Sequence, residues 1–112
     1  MIKVVLNEKD GEISLTVKGH AGMADVGKDI VCASASILAY TVGQTVKWMS
    51  ESNLLTEAPI VSIENGNAQI VCKPKEDQFS FAYACFSFAQ TGYTLLAHNY
   101  KEFVRIKQFG KG

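Results

Sequence analysis

The chain has 112 residues, 47% of them hydrophobic, and its 11 Lys plus Arg are balanced by 11 Asp plus Glu. That length suits one compact domain, residues 1–112, burying roughly 60–70% of the surface its unfolded form exposes. Zero formal net charge without a long block of either sign speaks against direct nucleic-acid binding, because neutralising phosphates needs clustered Lys and Arg.

Ile2-Lys3-Val4-Val5-Leu6 reads as a strand and lacks the basic segment, apolar run and small-residue cleavage site of a secretory signal, so a cytoplasmic address is expected. Glu12 to Lys18, in which Ile13, Leu15 and Val17 alternate with polar neighbours, reads as a second, half-buried strand. Asp10-Gly11 supplies the backbone angles for a hairpin between them. A long helix follows from about Ile30 to Ser50, with Gly43 as a weak point. Its most apolar part, Ile30 to Val42, is interrupted by Ser34, Ser36 and Thr41 and falls short of the roughly 20 residues that span a bilayer, so no membrane role is expected.

Ser52 to Pro59 form a loop, and Ile60 to Glu64 and Ala68 to Lys73 a second hairpin around Asn65-Gly66, the strongest short turn signal in the chain. Asp77 is placed to cap a second helix whose Phe79, Ala82, Tyr83, Phe86, Ala89, Tyr93 and Leu96 keep helical spacing. Phe81, Cys85 and Phe88 add a second apolar row, which is either further core or a subunit interface. Phe103 to Ile106 close the chain as a strand. The order β-β-α-β-β-α-β defines an α+β fold, a five-stranded antiparallel or mixed sheet covered by two helices.

Cys32, Cys72 and Cys85 are irregularly spaced, which suits reduced thiols. No Cys-x-x-Cys pair is present, so a metal site is not expected, and the thiol chemistry read below needs no organic cofactor. Cys72 and Cys85 read as core, as do Tyr40 and Trp48. His98 reads as a helix-terminal residue beside unpaired carbonyls. Lys101, Arg105, Lys107 and Lys111 read as a solvated strand edge and tail.

The chemistry gathers in GHAGMADVGKDIVCASAS, residues 19–36. His20 leaves the second strand, and Asp29 stands where a helix cap would, which places Cys32 in a first helical turn among unpaired N–H groups. An ordinary cysteine is only about 3% thiolate at neutral pH. A helix start supplies at most about 1.5 pKa units toward the anion, so an imidazolium from His20 must supply the rest. Asp29 is a cap, a carboxylate that orients His20, or both, with Asp25 a weaker competitor. Ser36 follows Cys32 by one turn on the same face. Gly19, Gly22 and Gly27 belong either to ordinary turns or to a lid.

This string resembles the signature of the ribosomal-processing cysteine protease (Prp) family: Gly19-His20-Ala21, then after a short loop Gly27, Asp29-Ile30-Val31-Cys32-Ala33 and Ser36. The resemblance implies a dimeric cysteine endopeptidase that removes an N-terminal extension from large-subunit ribosomal protein 27. Its protein substrate would offer an extended tail, Cys32 would be nucleophile and His20 base, and Asp29 and Ser36 would support them. Backbone N–H groups near Cys32 and Ala33 would stabilise the oxyanion, since the start of a helix presents such donors without reorganisation. The loop from Ala21 to Lys28 carries residues that the resemblance does not cover, so the substrate stays open. Two other readings stand beside it: a phage or prophage structural-protein maturation protease, and a noncatalytic homodimeric interaction domain that uses the Phe-bearing helix.

Overall fold

The structure is a computed structural model that describes residues 1–20 and 26–110, with residues 26–29 described for their backbone only. Strands β1 (Ile2–Lys9) and β2 (Glu12–Lys18) form the first hairpin, helix α1 spans Val26–Glu51, and β3 (Ile60–Glu64) and β4 (Asn67–Cys72) form the second hairpin. A short 3-10 turn at Glu76–Gln78 leads into helix α2 (Phe79–Asn99), and β5 (Val104–Lys107) follows. The expected order of elements is the observed one.

The sheet runs β3-β4-β2-β1-β5. It is mixed: β5 lies parallel to β1, while the other neighbours are antiparallel. Alternation decides which face is covered. Val4, Leu6, Ile13, Leu15, Ile70 and Val104 are buried, while Lys3, Glu12, Gln69 and Arg105 between them are exposed. Both helices pack on that one apolar face, α1 over β3, β4 and β2, and α2 over β5, β1 and β2. At about 25 cal/mol per Å² of apolar surface removed from water, this layer-on-layer burial is the main stabilising term.

Local signals explain most boundaries. Asp10 and Gly11 both take positive φ, 53° and 85°, the pair of angles a two-residue type I′ turn requires. Helix α1 ends in a Schellman motif: Asn53 turns left-handed at φ 62°, Leu54 N–H donates to Met49 at 2.9 Å, and Asn53 N–H donates to Ser50 at 3.1 Å. Gly43 does not interrupt α1. A Cβ there would lie 3.1 Å from Val61 Cγ1 and 3.2 Å from Ile63 Cδ1, so its absence lets the helix sit close on β3.

Three expectations change. Helix α1 begins at Val26, four residues before the apolar run, because Val26, Gly27, Lys28 and Asp29 continue its backbone without the apolar spacing that marks the rest. Asp77 lies within the 3-10 turn, and α2 starts without a side-chain cap; the 3-10 bonds of the preceding turn take up donors that a cap would otherwise satisfy. Tyr40 and Trp48 are 53% and 50% exposed instead of buried. Of the second apolar row of α2, left open between core and interface, Phe81 is 45% and Phe88 86% exposed, while Cys85 is half-buried against the core. Periodicity counts apolar positions but does not say whether a neighbouring layer reaches them.

The two helices are joined by one buried polar contact, in which the Tyr93 hydroxyl donates to the Ala35 carbonyl at 2.9 Å. Burial pushes the Tyr93 phenol pKa up, so it stays a donor. No helix among the described residues is long and apolar enough to cross a membrane.

Candidate active site

Cys32 stands seven residues into α1, at the end of its second turn, not in the first. The helix dipole acts mainly within the first turn. Cys32 and Ala33 both lie within α1. Asp29 likewise lies within the helix instead of at its cap. Its side chain and that of Gly27's neighbour Lys28 are outside the described residues, as are Gly22, Asp25 and Lys111.

His20 and Cys32 line one cleft of about 80 Å³, room for two or three water molecules at about 30 Å³ each. Cys32, Ala35, Ser36 and Ala39 share one stripe of α1 and form its floor, the i, i+3, i+4, i+7 repeat that keeps side chains on one helical face. The small size of Ala35, Ser36 and Ala39 keeps that stripe low. Ser36 is exposed within it and Cys32 is half-buried.

The opposite wall comes from the β3–β4 turn, with Glu64, Asn65, Gly66 and Asn67 all facing the cleft. Sheet register brings it there. Lys18 of β2 pairs with Asn67 of β4, so the residues just beyond each strand end, Gly19 and Gly66, meet, and Gly19 N–H donates to the Gly66 carbonyl at 2.9 Å. Gly19 holds φ +100°, and a Cβ on it would lie 2.2 Å from the Met1 carbonyl oxygen. The Met1 nitrogen donates to the His20 carbonyl. The histidine backbone is thus tied to β1 on one side and to the β3–β4 turn on the other. The turn was readable as a turn, but its place beside His20 depends on the β2–β4 pairing, which local patterning does not encode.

The other cysteines stand apart from this cleft. Cys72 is buried under the helices, and burial, then the neighbouring Cys85 and Glu12, push its pKa up to about 11. Burial also raises the Cys85 thiol. All three cysteines are free thiols. His98 sits in the last turn of α2, away from the cleft. Among the described residues no three His, Cys, Asp or Glu side chains gather as a metal site requires.

A second cavity, an open groove of about 640 Å³, runs between α1 and α2. Its walls are almost wholly apolar, from Leu38, Val42 and Met49 on α1 to Phe81, Phe88 and Leu95 on α2. Trp48 meets Phe81 edge to face at its rim, with ring centroids 6.1 Å apart.

A small α+β domain with a histidine and a cysteine lining one cleft has the parts of a cysteine protease. The sequence model of the family described as cysteine protease Prp matches residues 1–105, and the chain belongs to that family. A comparison with curated proteins finds no match. Among solved structures, the chain is similar to SMU.848 from Streptococcus mutans, with a TM-score of 0.69 and 26% identity over 96% of this chain and 92% of that one. It also shares the fold of the essential ribosomal processing protease Prp from S. aureus in complex with a covalently linked product peptide, with a TM-score of 0.67 and 21% identity over 97% of this chain and 99% of that one. A structure of the same S. aureus protease with a substrate peptide matches equally, at 0.67 and 20% identity over 97% and 99%.

Proposed function

We propose that this protein is a cysteine endopeptidase that removes the N-terminal extension of large-subunit ribosomal protein 27. The observation that carries the reading is that His20 and Cys32, distant in the signature, line one cleft. Membership of the protease family supports it, as does the shared fold with the S. aureus enzyme whose structures hold product and substrate peptides.

In this reading His20 takes the Cys32 proton, and the thiolate attacks the scissile carbonyl. The imidazolium then gives its proton to the leaving amine, which departs and leaves a thioester. Water, deprotonated by His20, hydrolyses the thioester and restores the thiol. The cycle calls on no cofactor. Asp29, no longer a cap, is assigned to orient His20, so full activity in Asp29→Asn would remove it from the mechanism. Ser36, one turn beyond Cys32, supports the floor of the cleft. The substrate enters as an extended peptide, since the cleft holds little more than the reacting group. A second copy of the chain covers the α1–α2 groove, whose exposed Phe81, Phe88 and Leu95 form an apolar surface of the kind found at homodimer interfaces.

The test is to incubate the protein with the ribosomal protein 27 precursor and map the new N-terminus by mass spectrometry. One specific cut that Cys32→Ala abolishes supports the assignment. An uncut precursor, or a cut that survives the substitution, defeats it. Cleavage of a phage capsid or scaffold precursor instead would keep the enzyme and replace its substrate.

A further inference from the structure

Resting on the protease reading above, we propose that Gly66, in the turn between β3 and β4, is a positioning residue for His20. Its bare Cα is the surface on which the imidazole lies. A Cβ built on Gly66 would fall 2.6 Å from His20 Nε2, 2.9 Å from Cε1 and 3.4 Å from Cδ2. These are far closer than ordinary van der Waals contact. The Nε2–Cε1 edge of the ring therefore rests on the turn, and Nδ1 is the ring nitrogen turned away from it.

The seat is fixed relative to the histidine by the Gly66 carbonyl, which accepts the Gly19 N–H one residue before His20. One residue thus holds the histidine backbone by its carbonyl and the ring by its lack of a side chain. Gly66 also has φ +77°, and a turn glycine needs no further reason than that. The two roles separate because asparagine tolerates left-handed angles. Gly66→Asn satisfies the turn yet fills the seat. D-Alanine at position 66, introduced by chemical synthesis of the chain, also satisfies the positive φ but points its methyl away from the ring. The crowded atoms belong to the end of a movable side chain, so filling the seat shifts His20 without unfolding the protein.

The experiment measures cleavage of a peptide spanning the ribosomal protein 27 processing site by the full chain and both variants, beside the NMR chemical shifts of the His20 ring. Gly66→Asn is expected to lose about 100-fold in kcat, the scale of an ångström of misplacement, with KM little changed and the thermal melt retained. Its His20 ring resonances should move. The D-alanine protein should change much less than Gly66→Asn in both. The proposal is overturned if Gly66→Asn keeps kcat within about threefold of the parent, or if D-alanine costs as much as asparagine. Failure of the protease reading looks different: the parent itself cuts nothing. In that case a nuclear Overhauser contact between His20 Hε1 and the Gly66 Hα protons still decides whether the ring is seated there, and its absence overturns the seat as well.

Discussion

Helix α1 serves two cavities that share little except the helix. Toward its start, the stripe Cys32, Ala35, Ser36, Ala39 floors a cleft of about 80 Å³ whose other wall holds His20, Asn65 and Asn67. Farther along, Val42, Val46 and Met49 help line a groove of about 640 Å³ with hardly a polar group. The small polar space suits bond chemistry, which needs a few groups held close. The large apolar one suits association, which needs area removed from water. Size alone would have sent attention to the wrong cavity; residue chemistry separates them.

The sharpest way to break that division is at the cleft. Cys32→Ala and His20→Ala should each lower cleavage by at least on the order of 10³-fold while leaving the circular-dichroism melt in place. Appreciable turnover by either would remove chemistry from this side of the helix. Groove substitutions should do the reverse. Phe88→Glu, at the most exposed large apolar side chain among the described residues, is expected to weaken self-association about 30-fold or more, the scale of an interface hot spot. Sedimentation velocity reads this directly, and a parent protein that is already a monomer at micromolar concentration refutes the interface.

The cysteines give a third comparison, between cleft and core. With its pKa raised from 9.0 to about 11, Cys72 should react with iodoacetamide roughly 100-fold more slowly at neutral pH than an ordinary thiol. Mass-spectrometric footprinting that finds Cys72 labelled as fast as Cys32 would contradict its burial. Burial also sets a pH dependence. The unfolded chain gives up this proton near 9.0 and the folded one near 11, so the contribution is intact below pH 9 and is lost as pH climbs toward 11. Urea midpoints should fall across that window and fall less in Cys72→Ala. The smallest effect belongs to Tyr93→Phe, where loss of one buried hydrogen bond should cost about 1 kcal/mol by urea denaturation.

Much of the fold was legible because its signals are local. Alternation in Ile13, Leu15 and Val17 marked a half-buried strand, Asp10-Gly11 and Asn65-Gly66 marked turns, and helical spacing marked Ala82, Phe86, Ala89 and Tyr93, all of which are buried. What was not legible depends on partners distant in sequence. The start of α1 was misplaced because an apolar run shows where a helix is covered, not where its backbone begins. The exposure of Trp48 and Phe88 depends on how far apart two helices stand. The wall opposite Cys32 comes from a turn more than thirty residues away, joined through strand pairing that no short window of sequence reveals. His20 and Cys32 could be named from their motif, but not the glycine on which the histidine lies.

The Tyr93 hydroxyl bonded to Ala35 also limits how independent the two cavities are. Ala35 belongs to the cleft floor, and its carbonyl is fastened to the helix that forms the far bank of the groove. Anything that pries the helices apart must stretch or break that rivet and drag the floor around Cys32. Solubility engineering directed only at the greasy side is therefore best followed by turnover as well as by molecular weight.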